Sequence, residues 1–221
     1  MCGRFTIVNT KNISKRFSTI NKLPLFRQSW NIAPSQIIPT IVRNSPNKIR
    51  LMKWGFVWSQ NSDYGTINLR AETIKEKPFF KKYLLEKRCL IVADSFYEWG
   101  EVDLEGKKEK YPFNFYIDDR RLFGFAGVYN DLKDAEGKTL YTCTILTCPP
   151  NKLVRKVHNR MPVIIQKENE NEWLDPANND YELLSALLRP YPEKQMSMHI
   201  VSRRVNNPAN DDGDLVKEIK I

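Results

Sequence analysis

The 221-residue sequence predicts one α+β domain, residues 1–221, with a barrel-like, mainly antiparallel β-sheet core and short peripheral helices. Three observations carry this prediction. Strand-like segments outnumber helical ones, short polar turns join many of them as in antiparallel sheets, and no linker or fixed-period repeat divides the chain. The hydrophobic content of 41% is sufficient for one core of this size.

Two types of pattern locate the elements in the first half of the chain. Phe80, Tyr83 and Leu84 recur at the spacing of one helix face, whereas the apolar run at 88–93 is typical of a buried strand. Polar turn-forming residues lie at 44–47 and a polar loop at 59–65. The predicted strands are 3–7, 37–43, 49–54 and 88–93, and the predicted helices are 11–17 and 78–87.

In the second half, strand alternation is the clearest signal. Phe113, Phe115 and Ile117 alternate with Asn114 and Tyr116, which predicts a strand with one buried face. We also predict turns at 104–107 and 118–120, strands at 122–129, 139–148, 163–165 and 196–201, and helices at 152–157, 168–173 and 181–188.

The composition limits the classes of protein to which the chain can belong. A net charge of +9 favours a polyanionic partner, although a solvated lysine-rich surface explains it equally well. Lys11, Lys15 and Arg16 exclude an apolar signal peptide or membrane span at the start of the chain. The four cysteines form no CxxC pair, and neither of the two histidines lies near a cysteine. We expect a cytoplasmic, monomeric protein without a metal or cofactor.

The second residue is a candidate nucleophile. Removal of Met1 would leave Cys2 with a free α-amine, whose usual pKa is about 8, beside a thiol with a pKa of about 8.5. Such a 1,2-aminothiol can attack an aldehyde through nitrogen and then close a thiazolidine ring through sulfur. It can also hydrolyse an amide with its own amine as the base. An inert cysteine is the commoner explanation when these first residues are considered alone.

Two polar clusters are candidate site residues, and each has a structural alternative. Asn68 opens the cluster at 68–73, where it could simply cap a helix that begins there. Glu98 follows an apolar strand, and alternation places it opposite Tyr97 and Trp99. A surface position is common for glutamate, whereas partial burial would raise its pKa and suit acid-base chemistry.

Two further residues have the same ambiguity. His158 stands two residues before Arg160 and close to the apolar strand at 163–165, a position in which histidine is usually structural. Trp54 belongs to the W-G-F-V-W segment at 54–58. Its ring is expected either to pack in the core or to stack on a nucleic-acid base.

Four motifs in order give a family resemblance that spans most of the chain. M-C-G-R-F at 1–5, N-L-R-A-E-T at 68–73, F-Y-E-W at 96–99 and H-N-R-M-P at 158–162 resemble the SRAP family of abasic-site processing proteins. The resemblance implies a barrel-like α+β fold. It also implies that the protein traps abasic sites in single-stranded DNA as a covalent protein–DNA cross-link.

The resemblance also implies roles for individual residues. Cys2 matches the family nucleophile, Asn68 the residue that orients the opened sugar, Glu98 the acid-base group and His158 the residue that assists ring opening. Four more positions match DNA-contacting residues of the family: Arg4, Arg70 and Arg160, which hold phosphates, and Trp54, which lies beside the DNA.

The sequence departs from the family pattern at a few positions. The segment at 54–58 lacks the usual proline, Leu69 replaces an alanine, and C-P-P at 148–150 replaces a Thr/Ala run. These departures concern the shape of the DNA channel. Two alternative functions remain open at this stage, an N-terminal-nucleophile cysteine peptidase that cleaves its own Met1–Cys2 bond or other peptides, and a noncovalent single-strand-binding module.

Overall fold

Thirteen strands appear in the computed structural model, which describes residues 2–42, 47–58, 65–117, 120–133 and 136–221. In chain order they are β1 (Arg4–Ile7), β2 (Ser29–Ile32), β3 (Ile37–Val42), β4 (Lys48–Trp54), β5 (Asn68–Arg70), β6 (Arg88–Ala93), β7 (Ser95–Leu104), β8 (Lys107–Ile117), β9 (Phe123–Lys133), β10 (Thr139–Cys148), β11 (Met161–Pro162), β12 (Ile164–Ile165) and β13 (Met196–Ile200).

Six short α-helices lie among these strands. They are α1 (Ile13–Arg16), α2 (Ala71–Glu76), α3 (Pro78–Glu86), α4 (Lys152–Arg155), α5 (Glu170–Leu174) and α6 (Tyr181–Ala186). None of the helices in the described part of the chain is long and apolar enough to cross a membrane.

A five-stranded barrel forms the centre of the molecule. β4, β3, β6, β9 and β10 are hydrogen-bonded in that order, and β10 closes the ring by pairing with β4. The closing pair is parallel, as is the pairing of β5 with β10, while the other barrel pairs are antiparallel. This architecture confirms the predicted barrel-like, mainly antiparallel core.

A second, open sheet has the strand order β13–β8–β7–β1–β2. One side of it packs on the barrel: Phe5 of β1 makes edge contacts with the rings of Trp54 and Phe125, with centroids 4.9 and 5.7 Å away. β1 lies between β7 and β2 in this sheet. The residues at the start of the chain, Cys2 and Phe5 among them, are therefore buried inside the fold.

Most predicted strands are confirmed within one residue at each end, including β10 without any difference. The helix predicted at 11–17 is wrong in length, because Thr10–Asn12 form a 3-10 turn and only Ile13–Arg16 are α-helical. β9 continues to Lys133 rather than ending at 129, since its last residues pair with β10. The turn predicted at 44–47, the loop at 59–65 and the turn at 118–120 lie wholly or partly outside the described residues.

The β7–β8 hairpin has the turn predicted at 104–107. Glu105 and Gly106 both have positive φ, 54° and 86°, which gives the primed turn whose twist matches the flanking strands. The carboxylate of Asp103 accepts a hydrogen bond from the Gly106 N–H at 2.7 Å. This turn fixes the register of the strand that carries Glu98.

β8 has the predicted buried face, with Phe115 and Ile117 in the main core, but its other face is partly covered as well. Asn114 is buried because residues of the C-terminal segment cover that side of the sheet with a small second core. The Asn114 amide donates to Ser95 Oγ at 2.8 Å and its oxygen accepts from Arg120 at 3.0 Å. Burial of a polar side chain is tolerated here because its groups are hydrogen-bonded.

Arg88 is a fully buried cation at the start of β6. Its guanidinium donates five hydrogen bonds of 2.6–3.0 Å, and all of the acceptors are backbone carbonyls, those of Leu84, Leu85, Trp173, Asp175 and Asn178. Arg88 thus joins the end of α3, the end of α5 and the connection to α6 to the barrel.

We expect Arg88→Met to lower the free energy of unfolding by about 3–5 kcal/mol, because the carbonyls that it satisfies lose a charged donor inside the protein. Urea denaturation measures the change. Arg27→Met, at an exposed arginine, is the control and should stay within about 0.5 kcal/mol of the unsubstituted protein. Equal stability of the Arg88 and Arg27 variants would contradict the anchoring role.

Candidate active site

The pairing of β1 with β7 determines where Cys2 lies. Phe5 is opposite Phe96 and Arg4 opposite Tyr97, so continuation of this antiparallel register brings Gly3 alongside Glu98. Cys2 is fully buried, and its Sγ lies 3.8 Å from the Arg4 carbonyl oxygen. Burial, with the charge of Glu98 as the second cause, raises the pKa of the Cys2 thiol. Met1 lies outside the described residues.

Asn68 binds the backbone at Cys2. Its Nδ2 donates a hydrogen bond of 2.8 Å to the Cys2 carbonyl oxygen. Its Oδ1 is buried and has no hydrogen-bond partner among the described residues, so it can accept a hydrogen bond from a group that enters the site. The helix-cap alternative for Asn68 is wrong, because this residue begins β5 and the N-cap position of α2 is Arg70.

Glu98 is a buried carboxyl group in β7, with only 2% of the residue exposed. The predicted alternation is confirmed, since Phe96 packs in the main core and Tyr97 in the second one. Burial raises the pKa of Glu98 to about 7. The side chain is therefore near the midpoint of its titration at neutral pH and can both give and accept a proton.

His158 reaches Glu98 from the loop that follows α4. The side chain of Asn151 caps this helix by accepting from the Val154 N–H at 2.9 Å, and the His158 N–H donates to the Val154 carbonyl at 2.9 Å. His158 Nε2 lies 4.0 Å from Glu98 Oε2. Burial lowers the pKa of His158, so its ring is neutral at pH 7.

Gly100 permits this approach of the two elements. A Cβ atom at Gly100 would lie 2.9 Å from Val157 Cγ1 and 3.2 Å from Val157 Cα. Such distances are closer than normal van der Waals contact with a backbone atom. A side chain at position 100 would thus push the His158 loop away from β7 and from Glu98.

Arg70 and Arg160 lie close to β10, because β5, which ends at Arg70, and β11, which follows Arg160, both pair with that strand. Arg70, at the end of β5, is opposite Thr147 of β10 and is exposed. Arg160 lies just before β11, and its guanidinium binds the Glu72 carboxylate through two hydrogen bonds of 2.6 and 2.8 Å. It also donates to the Thr147 carbonyl at 2.7 Å.

The guanidinium of Arg4 points to the C-terminal segment. It donates to Asn31 Oδ1 at 2.8 Å and to the carbonyls of Val205 and Asn206 at 2.7 and 3.3 Å. Its predicted contact with a phosphate remains a prediction.

Trp54 packs in the core, the first of its two predicted alternatives. The residue is fully buried, and its indole N–H donates to the Ile67 carbonyl at 3.0 Å. The ring therefore presents no surface to a ligand in this structure. A direct contact between Trp54 and DNA remains a prediction, and it would require the residues that pack around this ring to move.

The matching family model spans nearly the whole chain. Residues 1–208 match the model described as SOS response associated peptidase (SRAP). The protein belongs to the SRAP family. This result confirms the resemblance that was recognised from the four motifs. In the structure the four motifs meet at one site, through Cys2, Asn68, Glu98 and His158.

Relatives of known name agree with this assignment. The chain is 44% identical to the abasic site processing protein YoqW of Bacillus subtilis (strain 168) over 225 aligned positions, which cover 98% of this chain and 99% of the relative. It is 31% identical to the abasic site processing protein YMR114C of Saccharomyces cerevisiae, with 91% of this chain and 55% of that protein covered.

The SRAP fold is also seen in a crystal structure of a protein from Bacteroides thetaiotaomicron. The TM-score is 0.85 at 23% sequence identity, and the match covers 99% of this chain and 100% of the other. At this level of identity the match establishes the fold.

A groove beside the site was not predicted from the sequence. It has a volume of about 700 Å³, and the half-buried ring of Trp99 lines it. Its charged lining residues are Lys108, Lys110 and Lys156 together with Glu101 and Asp103, so positive charge is in small excess. The groove also contains Gly100 and Val157, so it begins at the contact that brings His158 to Glu98. The signal in the sequence was weak, because Lys110 and Lys156 are far apart in the chain.

The donor set does not point to a metal. Among the residues that the structure describes, no group of three or more His, Cys, Asp and Glu side chains is arranged to hold an ion. All four cysteines are buried and free of disulfides. The chemistry that these side chains can perform is proton transfer and nucleophilic attack.

Glu98 should make stability depend on pH. Because its folded pKa of about 7 lies above its unfolded value, the folded state holds this proton longer, and stability falls as the pH rises from about 4.5 through 7. With an unfolded pKa of about 4.3, the effect is on the order of 3 kcal/mol. Glu98→Gln should remove it, as shown by urea denaturation at pH 5 and pH 8.

Glu101→Gln is the matched control, since Glu101 is an exposed glutamate on the same strand. Its unfolding free energy should follow that of the unsubstituted protein at both pH values. If Glu98→Gln also followed the unsubstituted protein, the raised pKa of Glu98 would be refuted.

Proposed function

We propose that this SRAP protein processes abasic sites in single-stranded DNA by forming a thiazolidine cross-link through Cys2 after Met1 has been removed. The observation that carries the proposal is the convergence on Cys2 of Asn68 at its carbonyl and of Glu98 through its charge, with His158 4.0 Å from that carboxylate. Relatives named abasic site processing proteins support the choice of lesion.

The first bond is made by nitrogen. A ring-opened abasic sugar presents an aldehyde, and the neutral α-amine of Cys2 adds to it to give a carbinolamine. Protonated Glu98 then gives its proton to the hydroxyl group, which leaves as water and produces an iminium ion and the Glu98 carboxylate. A pKa of about 7 suits this step, because the acid form is well populated at neutral pH.

The second bond is made by sulfur. The buried Cys2 thiol has a raised pKa, so it needs a base at neutral pH. The Glu98 carboxylate left by the first step takes that proton, and the thiolate attacks the iminium carbon to close the five-membered ring. The net reaction joins the aldehyde to the aminothiol, releases one water and returns Glu98 to its acid form.

His158 and Asn68 assist these steps through hydrogen bonds. The neutral His158 ring can offer a donor or an acceptor to the opened sugar next to Glu98. Asn68 Oδ1, which has no partner in the described part of the chain, can accept a hydrogen bond from a sugar hydroxyl or from the iminium N–H. Asn68 is close to the reacting groups because it binds the backbone carbonyl of Cys2. His158 is close to them because it lies beside Glu98.

The groove beside the site suits a single strand. Trp99 offers an aromatic surface on which a base can stack, and Lys110 and Lys156 can neutralise phosphates. A single strand also lets the lesion enter a buried site without disruption of base pairs. Arg70 is a further exposed cation, at the end of the strand that begins with Asn68, and phosphate contacts of Arg4, Arg70 and Arg160 remain part of this proposal.

Two further activities follow from the same intermediate and the same terminus. An imine that is not captured by sulfur can undergo β-elimination, which would cleave the DNA strand as a lyase does. Removal of Met1 exposes the amine, and the protein itself can perform that step as an autopeptidase. We propose the cross-link as the main product because Cys2 supplies the thiol at the position where the imine forms.

Cys2→Ala separates the two nucleophiles. The variant keeps the α-amine after Met1 removal, so it should form an imine that borohydride traps but no heat-stable adduct without reductant. Glu98→Gln should slow cross-linking by about 100-fold or more, while the finished cross-link stays stable. Denaturing gels with abasic single-stranded DNA measure both effects.

Intact DNA and abasic duplex DNA are the substrate controls, and intact mass confirms Met1 removal for each variant. A heat-stable, reductant-free cross-link formed equally well by Cys2→Ala would refute the thiazolidine. Cleavage of unrelated peptides by a protein that forms no adduct would favour the peptidase alternative.

The groove gives a separate prediction about salt. Lys110→Ala with Lys156→Ala should weaken binding to intact single strands and soften the slope of log K against log salt by roughly 1.4, or about 0.7 for each lost contact. Arg70→Ala should soften it by roughly 0.7. Fluorescence anisotropy over a salt series measures these slopes.

Lys11→Ala removes the same charge from an exposed position outside the groove and should leave the slope unchanged. If the double lysine variant behaved like Lys11→Ala, the strand would have to follow another path.

A further inference from the structure

The H-N-R motif is connected to α2 by an ion pair. Both terminal nitrogens of Arg160 bind the Glu72 carboxylate, at 2.6 and 2.8 Å, and one of them also donates to the Thr147 carbonyl. Only 13% of the Arg160 side chain is exposed. A two-point contact of this kind fixes both the position and the plane of the guanidinium.

The backbone of Arg160 in turn contacts the ring of His158. The Arg160 N–H lies 3.0 Å from His158 Nδ1, and the Arg160 carbonyl oxygen lies 3.1 Å from the same atom. A protonated Nδ1 would donate to that carbonyl but would place the Arg160 N–H against another donor, whereas an unprotonated Nδ1 accepts from the N–H and leaves the carbonyl without this bond. Orphaned N–H groups are rarer in proteins than under-satisfied carbonyls. Nδ1 is therefore favoured as the acceptor, which puts the proton of the neutral ring on Nε2.

The other ring nitrogen is the one that faces the reactive groups. Nε2 lies 4.0 Å from Glu98 Oε2. An Nε2–H group can donate to the carboxylate or to a sugar oxygen between them, whereas an unprotonated Nε2 cannot. The tautomer of His158 thus decides whether the site has a donor at this point.

We propose that Glu72 is a positioning residue that holds Arg160 and thereby keeps His158 in the Nε2–H tautomer. Its effect on the reaction rests on the proposed function, whereas its effect on the ring does not. Glu72 follows Asn68 and Arg70 in one short segment, β5 and the first turn of α2. This segment therefore secures the Cys2 carbonyl and the His158 loop together.

The tautomer can be measured without any substrate. Two-bond ¹H–¹⁵N correlation spectra of ¹⁵N-labelled protein at a pH of about 8 distinguish the two tautomers of a neutral ring. The chain has only two histidines, so a His158→Gln variant assigns the signals. The unsubstituted protein should show the Nε2–H form, and Glu72→Ala and Glu72→Gln should show a mixture of the two forms.

The same variants should cross-link abasic single-stranded DNA about 10-fold more slowly or worse, because the donor is present for only part of the time and its position is less fixed. Their affinity for the intact strand should not fall, since the change removes a negative charge. Glu76→Gln, at an exposed glutamate of the same helix, is the matched control and should change neither the spectrum nor the rate.

An unchanged His158 spectrum in a folded Glu72 variant would overturn the inference, and Glu72→Gln supplies this result if Glu72→Ala does not fold. An unchanged cross-linking rate beside a changed spectrum would also overturn the role in the reaction. If the unsubstituted protein formed no cross-link at all, the proposed function would fail, and the spectra would still decide whether Glu72 positions His158.

Discussion

The register between β1 and β7 is the constraint on which the site depends. Phe5 lies opposite Phe96, and both rings belong to the core between the sheet and the barrel. A slip of one residue would turn every β1 side chain to the other face of the sheet. It would therefore remove Phe5 from the main core and move Cys2 away from Glu98. The free energy gained by burying these aromatic rings thus also holds the candidate nucleophile beside its acid.

The features that local pattern determines were predictable from the sequence. Strand alternation separated Phe96 and Glu98 from Tyr97 and Trp99, and the two cores confirm this division. The apolar run at 88–93 was recognisable because every residue of that strand is buried. The turn at 104–107 was recognisable because it contains a glycine at a position of positive φ. The candidate residues themselves were found through the four motifs that resemble the SRAP family, and their roles came from that resemblance.

Long-range pairing explains what the sequence did not reveal. The parallel contact of β4 with β10 closes the barrel, yet no local signal specifies parallel pairing. Asn68 is of a residue type that often caps helices, but its side-chain amide instead donates a hydrogen bond to the Cys2 carbonyl, 66 residues away in the chain. Glu72 resembles an ordinary first-turn carboxylate until Arg160 is placed against it. Nothing local showed that the C-terminal segment covers Asn114.

That C-terminal segment makes the two ends of the chain interdependent. The amide of Asn31, on the strand beside β1, donates to the carbonyls of Val205, Asn207 and Asn210. Arg4 binds the same segment, and the Trp99 indole N–H donates to Asn206 at 2.7 Å. A buried carboxyl and a buried thiol are costly to hold together in a fold. These contacts supply part of the stability that offsets the cost, and they do so on the outer face of the strands that carry Cys2 and Glu98, away from the groups that react.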